Sequence, residues 1–250
     1  MSTKLIYIVA IDDLAAKVST NDFFCYSEPT WEHYCKRHDI DLIVQTVHQF
    51  DPAIKPIWNK EMISVIGKDY DKIGIVDSDT MIRWDAPNIF DQFGEDEFCG
   101  VNDLCDLNWL LGSIEQRQYL FPDTQIDPMD YLNAGVLFFG NRYLDVFSKL
   151  LAFYFENQES IDSIQGGGRE QTLLNFVLAK NKVNIKKLSP AWNLLSIHRK
   201  NMFINNWQLK NDPTPYFMKY AYLWHFTGFP IEDRVNVMKQ TWEMTKYLYR

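Results

Sequence analysis

The chain has 250 residues, of which 46% are hydrophobic and 15% aromatic, so it can bury a sizeable core and is most simply a single α/β domain. Its net charge of −8 and pI near 5.1 argue against a nucleic-acid or anionic-membrane partner, because no basic surface is available to displace counterions. If the substrate is anionic, a few local cations must neutralise it.

Apolar runs and helical patterns alternate in the first third of the chain. Continuous apolar runs are typical of strands that are buried on both faces of a parallel sheet, and apolar side chains every three to four residues predict helices. We predict strands at residues 4–10, 41–45 and 72–76, and helices at residues 28–38, with Pro29 near the start, and 59–66. This order predicts a mixed, mostly parallel central sheet flanked by helices.

The rest of the chain is less regular. Asn133, Ala134 and Gly135 interrupt an apolar stretch, which predicts a tight bend or a close approach to a ligand before a strand at residues 136–139. The three glycines at 166–168 predict a mobile loop. Further strands are expected at residues 98–101 and 183–188, and helices at 143–157, from 169 onward, and at 234–248. Neither a repeat nor a convincing linker divides the chain, so we expect one domain.

Two acidic residues, Asp77 and Asp79, directly follow the third predicted strand. Because residues of an extended segment alternate sides, both carboxylates can face the same way at the edge where open α/β sheets bind ligands. They would repel each other unless a cation lay between them, and carboxylate oxygens suit Mg²⁺ or Mn²⁺. The pattern predicts a metal site, with a solvated turn as the alternative.

The cysteines and the N-terminal apolar run bear on the compartment. Cys25, Cys35, Cys99 and Cys105 form neither a CxxC pair nor a zinc-type cluster, so we expect buried free thiols in a reducing compartment. Residues 5–11 are too few for a membrane helix and lack the features of a signal peptide. These patterns predict a cytoplasmic protein without stable membrane insertion.

Five short motifs occur in an order that resembles the GT-A glycosyltransferases. After a Rossmann-like start they are Asp77-Ser78-Asp79, Asn133-Ala134-Gly135, Glu170-Gln171 with Leu174-Asn175, Pro190 with Trp192-Asn193, and His225-Phe226-Thr227-Gly228. The pattern is most similar to family eight, which includes glycogenin and bacterial lipopolysaccharide galactosyl- and glucosyltransferases, and it covers about residues 4–230. The resemblance implies a GT-A fold with a nucleotide-binding part at 1–80, a donor-sugar and acceptor part at 81–230 and a C-terminal helix at 231–250.

The resemblance also implies a reaction, the transfer of a hexose from a UDP-sugar to a glycan, lipid or protein acceptor, with retention. In the family, both acidic residues of the DxD motif and a later histidine bind Mn²⁺, which maps onto Asp77, Asp79 and His225. The imidazole favours Mn²⁺, with Mg²⁺ as the alternative ion. A lone histidine between Trp224 and Phe226 is otherwise most often a packed core residue.

The implied nucleotide contacts lie at the end of the first strand and around the DxD motif. They are Val9, Ala10, Ile11, Asp13, Lys60, Asp77, Ser78 and Gly228. Lys60 resembles a family lysine that reaches the donor, where a cation would offset the diphosphate charge, and an exposed helix position is the alternative. For the apolar residues of the strand, plain packing explains the pattern equally well.

The remaining implied contacts concern the two sugars. Donor-sugar contacts are Asn133, Ala134 and Gly135, the catalytic pair is Glu170 and Gln171, and acceptor contacts are Trp192 and Asn193. A neutral amide is a poor nucleophile, so Gln171 would steady an oxocarbenium-like centre while the leaving phosphate accepts the acceptor's proton. Glu170 stands where the family has aspartate, and its extra methylene changes the reach toward the sugar. The structural alternatives are a turn for the first motif and a helix N-terminus for the second.

Two other functions fit parts of the sequence. Beyond Gly228 the family often has a lysine that contacts the diphosphate, whereas this chain has Phe229, and Arg234 is the candidate to replace that lysine. This departure and Glu170 leave open a non-catalytic nucleotide-sugar-binding module. A haloacid dehalogenase-type phosphatase also has a DxD motif, but it normally follows the first strand and has Thr or Val where this chain has Met81.

Overall fold

The computed structural model describes residues 2–13, 19–195, 197 and 215–250. The strands within this part are β1 (Lys4–Val9), β2 (Asp41–Gln45), β3 (Lys72–Asp77), β4 (Thr80–Ile82), β5 (Phe98–Asn102), β6 (Leu132–Gly140), β7 (Ile185–Lys187) and β8 (Leu223–His225). The α-helices are α1 (Asn21–His38), α2 (Ile63–Ile66), α3 (Leu107–Glu115), α4 (Leu144–Glu156), α5 (Gln158–Ser163), α6 (Arg169–Lys180), α7 (Tyr216–Tyr220) and α8 (Ile231–Thr245).

Six strands form one mixed sheet in the order β2-β1-β3-β6-β5-β7. β1 pairs in parallel with β2 and β3, β6 runs antiparallel to both β3 and β5, and β7 is parallel to β5. The carboxyl ends of β1, β3 and β5 therefore share one edge of the sheet. A separate two-stranded antiparallel sheet joins β4 and β8 beside that edge. The predicted mixed, mostly parallel sheet is confirmed.

Hydrophobic side chains cover both faces of the central strands. In β1, Leu5 and Tyr7 belong to a core cluster with α4 and α6, whereas Ile6 and Ile8 belong to a second cluster with α1. All four are fully buried, as the continuous apolar run predicted. A third cluster surrounds β4 and β8 and includes Trp224. The edge of the sheet that holds the carboxyl ends of β1, β3 and β5 is therefore backed by a close-packed core.

α1 differs from the sequence prediction, whereas β6 is irregular where the sequence predicted a bend or a close approach. α1 begins at Asn21, not at residue 28, and contains Pro29 in its interior. Phe23 and Phe24 are buried in the core, so their packing outweighs the local cost of the proline. β6 continues through Asn133 and Gly135 as one strand, but β3 pairs with it only from Val136 onward, and its register with β5 shifts between Leu132 and Leu137. The strand is therefore irregular at the predicted place, and the predicted close approach at Gly135 is also present, as shown below.

The remaining predicted segments are close to the observed ones, with shifted ends. Residues 59–66 are helical but begin as a 3₁₀-helix at Pro56–Met62 before α2. The last helix, α8, begins three residues earlier than predicted and is followed by a 3₁₀ turn at Lys246–Leu248. None of the four cysteines forms a disulfide, and Cys35 and Cys99 are buried as expected, whereas Cys25 is exposed.

Candidate active site

The turn after β3 brings distant parts of the chain together. β3 ends at Asp77, and β4 begins three residues later at Thr80, which lies opposite His225 in the β4–β8 pair. The backbone N–H of Phe226 donates to the carbonyl of Asp79 at 2.9 Å. The buried Trp31 of α1 donates its indole N–H to Thr80 Oγ1 at 3.1 Å. These contacts fix the turn from two sides and hold His225 against the two aspartates.

Asp77, Asp79 and His225 have the arrangement of a metal site. Each offers one ligand atom, and these atoms lie within 4.8 Å of one another. His225 Nε2 lies 3.2 Å from Asp79 Oδ1 and 3.8 Å from Asp77 Oδ2. Nε2 is buried and has no well-aligned hydrogen-bond partner among the described residues, unlike a satisfied core histidine. Two carboxylates and an imidazole nitrogen fit a divalent cation.

Asp79 has a second partner in Arg234 of α8. Arg234 Nη1 lies 3.2 Å from Asp79 Oδ2, and its guanidinium carbon lies 5.5 Å from the ring centre of Phe23. Burial raises the pKa of Asp79, but Arg234 and His225 outweigh burial, so this pKa falls below its usual range. Asp79 is therefore a carboxylate at neutral pH. The C-terminal helix thus contributes a cation to the site.

Lys60 lies inside the site and not on an exposed helix face. Its ammonium group is 2.5 Å from Asp77 Oδ1, 3.9 Å from Glu170 Oε2 and 3.4 Å from the carbonyl oxygen of Ala134. Burial lowers the pKa of Lys60, but the carboxylates of Asp77 and Glu170 outweigh it and raise the pKa. Lys60 is therefore charged, and it offsets the acidic groups around it.

Glu61 and Glu170 are buried carboxyl groups close to Lys60. Burial raises the pKa of Glu170 to about 7, with Lys60 opposing that shift and Asp77 adding to it. Burial also raises the pKa of Glu61, and the charge of Glu170 adds to this shift. Neither carboxylate oxygen of Glu61 has a hydrogen-bond partner among the described residues. Protonation removes the cost of burying these charges.

This burial predicts a stability that falls as pH rises. Between the ordinary glutamate pKa and about 7, the folded state holds a proton on Glu170 that the unfolded state has released. In metal-free protein, we expect the free energy of unfolding to decrease from pH 5 to pH 8, and Glu170→Gln to make this decrease smaller. Urea unfolding at both pH values measures the difference. Glu115→Gln, at an exposed position, should leave the decrease unchanged.

An amide network lies next to Lys60, which contacts the carbonyl of Ala134. Gln171 Oε1 accepts from the backbone N–H of Ala134 and from Asn133 Nδ2, both at 3.1 Å. Asp103 Oδ2 accepts from Gln171 Nε2 at 3.0 Å and from Asn133 Nδ2 at 3.1 Å. Asp103 was not among the site residues predicted from the sequence. Its position directly after β5, at the carboxyl edge of the same sheet, could have identified it as a candidate.

Two adjoining cavities open onto this edge, and both have volumes typical of small-molecule sites. The His225 cavity, about 350 Å³, is lined by residues that include Asp103, Trp109, Asn133, Gln171, His225 and Gly228. The Arg234 cavity, about 380 Å³, is lined by residues that include Val9, Ile11, Asp13, Ser78, Asp79 and Arg234. Ile57, Lys60, Asp77, Gly168 and Arg169 line both. The two cavities therefore meet at the Lys60–Asp77 pair.

Most of the predicted site residues line these cavities. Asn133, Ala134, Gly135, Glu170, Gln171 and Gly228 line the His225 cavity, and Val9, Ile11, Asp13 and Ser78 line the Arg234 cavity. Ala10 lies outside both linings and packs against the core cluster of α1. Trp192 is also in that cluster, beside Tyr222, so its predicted acceptor contact has no support in this placement. Asn193 is buried and contacts His225, not solvent.

No protein-family model and no curated protein matches the chain. Solved glycosyltransferase structures nevertheless share its fold. One is a glycosyltransferase involved in the glycosylation of the major capsid of PBCV-1, with a TM-score of 0.59 and 12% identity over 94% of this chain and 99% of that chain. Another is galactosyltransferase LgtC in complex with donor and acceptor sugar analogs, with a TM-score of 0.53 and 13% identity. That match covers 94% of this chain and 95% of that chain.

The bifunctional glycosyltransferase WbbM has a TM-score of 0.55 and 15% identity, and the match covers all of this chain and 52% of that chain. Identities this low establish the fold alone. The GT-A fold that the ordered motifs predicted is thus confirmed. Among the described residues, no helix combines the length and apolarity that crossing a membrane requires.

Proposed function

We propose that the protein is a metal-dependent glycosyltransferase that moves a hexose from a UDP-sugar to an acceptor hydroxyl, with retention. The observation that carries this proposal is the convergence of Asp77, Asp79 and His225 at the carboxyl edge of a GT-A sheet. Lys60 and Arg234 stand beside them, so local cations are available in a chain whose net charge is −8. This meets the need for positive charge that an anionic donor imposes.

Asp77, Asp79 and His225 would hold the metal. When bound, a divalent cation at these residues neutralises charge that develops on a departing diphosphate. The imidazole nitrogen favours Mn²⁺, with Mg²⁺ as the alternative. Asp79 is a carboxylate at neutral pH, and Arg234 pairs with it in this structure. A guanidinium at that position also suits bidentate binding of a phosphate.

The Arg234 cavity is the proposed nucleotide side. Val9, Ile11 and Asp13 at the end of β1 provide one wall, and Ser78 provides part of another. Their backbone and side-chain polar groups can contact a base and a ribose, as the family resemblance implies. Lys60 lies where the two cavities meet, which is the place for the diphosphate between nucleoside and sugar.

The His225 cavity is the proposed sugar side. Asn133, Ala134 and Gly135 line this cavity and are the proposed contacts of the donor sugar. Gln171 is held by Asp103 through its amide nitrogen, so its position is fixed although it is a poor nucleophile. We assign it the steadying of positive charge at the anomeric carbon, while the leaving phosphate takes the acceptor proton. Glu170 is turned toward Lys60, with Oε2 at 3.9 Å from its ammonium nitrogen.

The acceptor is proposed to enter past Asp106 and Trp109. Both line the His225 cavity but not the Arg234 cavity, so they lie on the side away from the nucleotide. Trp109 is partly exposed, and Asp106 adds a carboxyl group to the same lining. This wall replaces Trp192, which is buried in the core, as the candidate acceptor surface.

A panel of nucleotide sugars tests the proposal. With Mn²⁺ present, we expect a UDP-hexose to bind and to be hydrolysed slowly without an acceptor, and EDTA to abolish both. Sugars carried on other nucleotides should bind more weakly. Calorimetry reports binding, and release of UDP reports hydrolysis. Binding without hydrolysis of any donor would favour the non-catalytic module, and absence of metal-dependent binding by the folded protein would refute the nucleotide-sugar site itself.

A further inference from the structure

We propose that Asn193 is a positioning residue that fixes the tautomer of His225, so that Nε2 presents its lone pair to the metal. The proposal rests on the metal site of the proposed function. It assigns Asn193 a role different from the acceptor contact that the sequence predicted. The evidence is a series of hydrogen bonds that begins at the backbone N–H of Gly135. It links three buried side chains, Asn133, Asn193 and His225.

The chain of hydrogen bonds is anchored at Gly135. The backbone N–H of Gly135 lies 3.0 Å from Asn133 Oδ1 and can only donate, so the oxygen of Asn133 must face it. On the other side, Asn133 Nδ2 lies 3.1 Å from the carboxylate of Asp103, which can only accept when ionised. The Gly135 N–H alone therefore sets the orientation of the Asn133 amide, and the contact with Asp103 agrees with it.

The orientation of Asn133 determines that of Asn193. Asn193 Nδ2 lies 3.0 Å from Asn133 Oδ1, an atom that can only accept. The NH₂ group of Asn193 must point there, which turns its oxygen toward His225. Asn193 Oδ1 then lies 3.0 Å from His225 Nδ1. Because an amide oxygen cannot donate, Nδ1 must carry a proton.

A proton on Nδ1 leaves Nε2 as the ligand nitrogen of the neutral imidazole. This atom faces Asp79 and Asp77 at 3.2 and 3.8 Å. The other tautomer would place the Nδ1 lone pair against Asn193 Oδ1 and a proton where the metal binds. Water cannot readily take over the role, since Asn133 is 5% exposed and Asn193 and His225 are each 1% exposed. Partners of this kind orient metal-binding histidines in general.

The backbone brings these groups into position. Asn193 follows a 3₁₀ turn at Pro190–Trp192, and the next residue, Leu194, bridges to Trp224 of β8. The N–H of Leu194 donates to the carbonyl of Leu223 at 2.9 Å. The segment therefore runs along β8 and places Asn193 beside His225. Trp192, the last residue of that turn, is buried in the core and holds the turn in place.

Two substitutions separate positioning from stability. Asn193→Leu removes both hydrogen bonds at nearly constant volume, and we expect Mn²⁺ affinity to fall by about 10- to 100-fold. Asn193→Asp keeps an acceptor for the Nδ1 proton but loses the donor to Asn133. We expect this variant to have a lower melting temperature and a Mn²⁺ affinity within about threefold of the wild type, because a carboxylate also orients a ligand histidine. Free Mn²⁺ measured by electron paramagnetic resonance gives the dissociation constants.

A double-mutant cycle with His225→Ala completes the test. If Asn193 acts through the imidazole, Asn193→Leu should change Mn²⁺ affinity little once His225 is absent. Equal losses in both backgrounds, or equal losses for the Leu and Asp variants, would overturn the positioning role. Circular dichroism confirms that each variant is folded. Failure of the wild type itself to bind Mn²⁺ would instead refute the metal site of the proposed function.

Discussion

Asp79→Ala is expected to lower Mn²⁺-dependent UDP affinity by more than about 100-fold, beyond the usual loss from substituting a group that only orients a ligand. Asp79 supplies one of the three ligand atoms that lie within 4.8 Å of one another. Its removal also leaves Arg234 and His225 adjacent without the carboxylate between them. The positive charge of Arg234, no longer offset by Asp79, then disfavours a cation at this position. Calorimetric titration of UDP at saturating Mn²⁺ measures the loss.

The controls for Asp79→Ala must separate binding from folding. Asp79→Asn keeps the side-chain shape and an acceptor oxygen, so it should preserve more stability while still losing most of the metal-dependent affinity. Asp85→Ala removes another aspartate paired with an arginine, Arg83, at a more exposed place outside the two cavities. It should bind UDP as the wild type does. Unchanged Mn²⁺-dependent affinity of a folded Asp79→Ala protein would contradict the metal assignment.

The sequence contained enough information to predict the sheet edge and the residues gathered there. Strand boundaries follow from apolar runs such as that of β3, and a carboxylate pair at the end of a buried strand is conspicuous. His225 does lie against Asp79, and Lys60 against Asp77, as the family resemblance implied. From the residues alone, only Asp77 and Asp79 could be placed at the sheet edge, because they directly follow a predicted strand.

Features decided by tertiary packing could not be predicted in the same way. Trp192 looked like an acceptor platform because of its motif, but it is buried against Tyr222. Arg234 pairs with Asp79 only because α8 packs against α1, whose Phe23 lies under its guanidinium. Pro29 in the interior of α1 is likewise tolerated because of tertiary packing, which buries Phe23 and Phe24. No local pattern indicates which helix surface will meet which side chain.

The second large effect concerns Gly135, at which the sequence predicted a close approach. β6 brings its backbone against the site, and a Cβ built there would lie 2.6 Å from Asp77 Oδ2 and also overlap His225 Cε1. The backbone here is held by polar contacts, because the carbonyl of Ala134 accepts from Lys60 and the N–H of Gly135 donates to Asn133. Gly135→Ala must therefore displace two proposed metal ligands. We expect metal-dependent UDP affinity to fall by more than about 100-fold, as for loss of a ligand, and the melting temperature to drop by several degrees from overpacking.

Gly100→Ala is the matched control for Gly135→Ala. Gly100 is also a buried strand glycine, but its added Cβ would meet only the leucine side chains of β6, the nearest atom being Leu132 Cδ1 at 3.1 Å. Flexible apolar side chains can yield, so we expect a modest loss of thermal stability and unchanged UDP affinity. If Gly135→Ala bound UDP with Mn²⁺ as tightly as Gly100→Ala, the two ligands could shift freely. The close fit between β6 and the metal ligands would then have no role in binding.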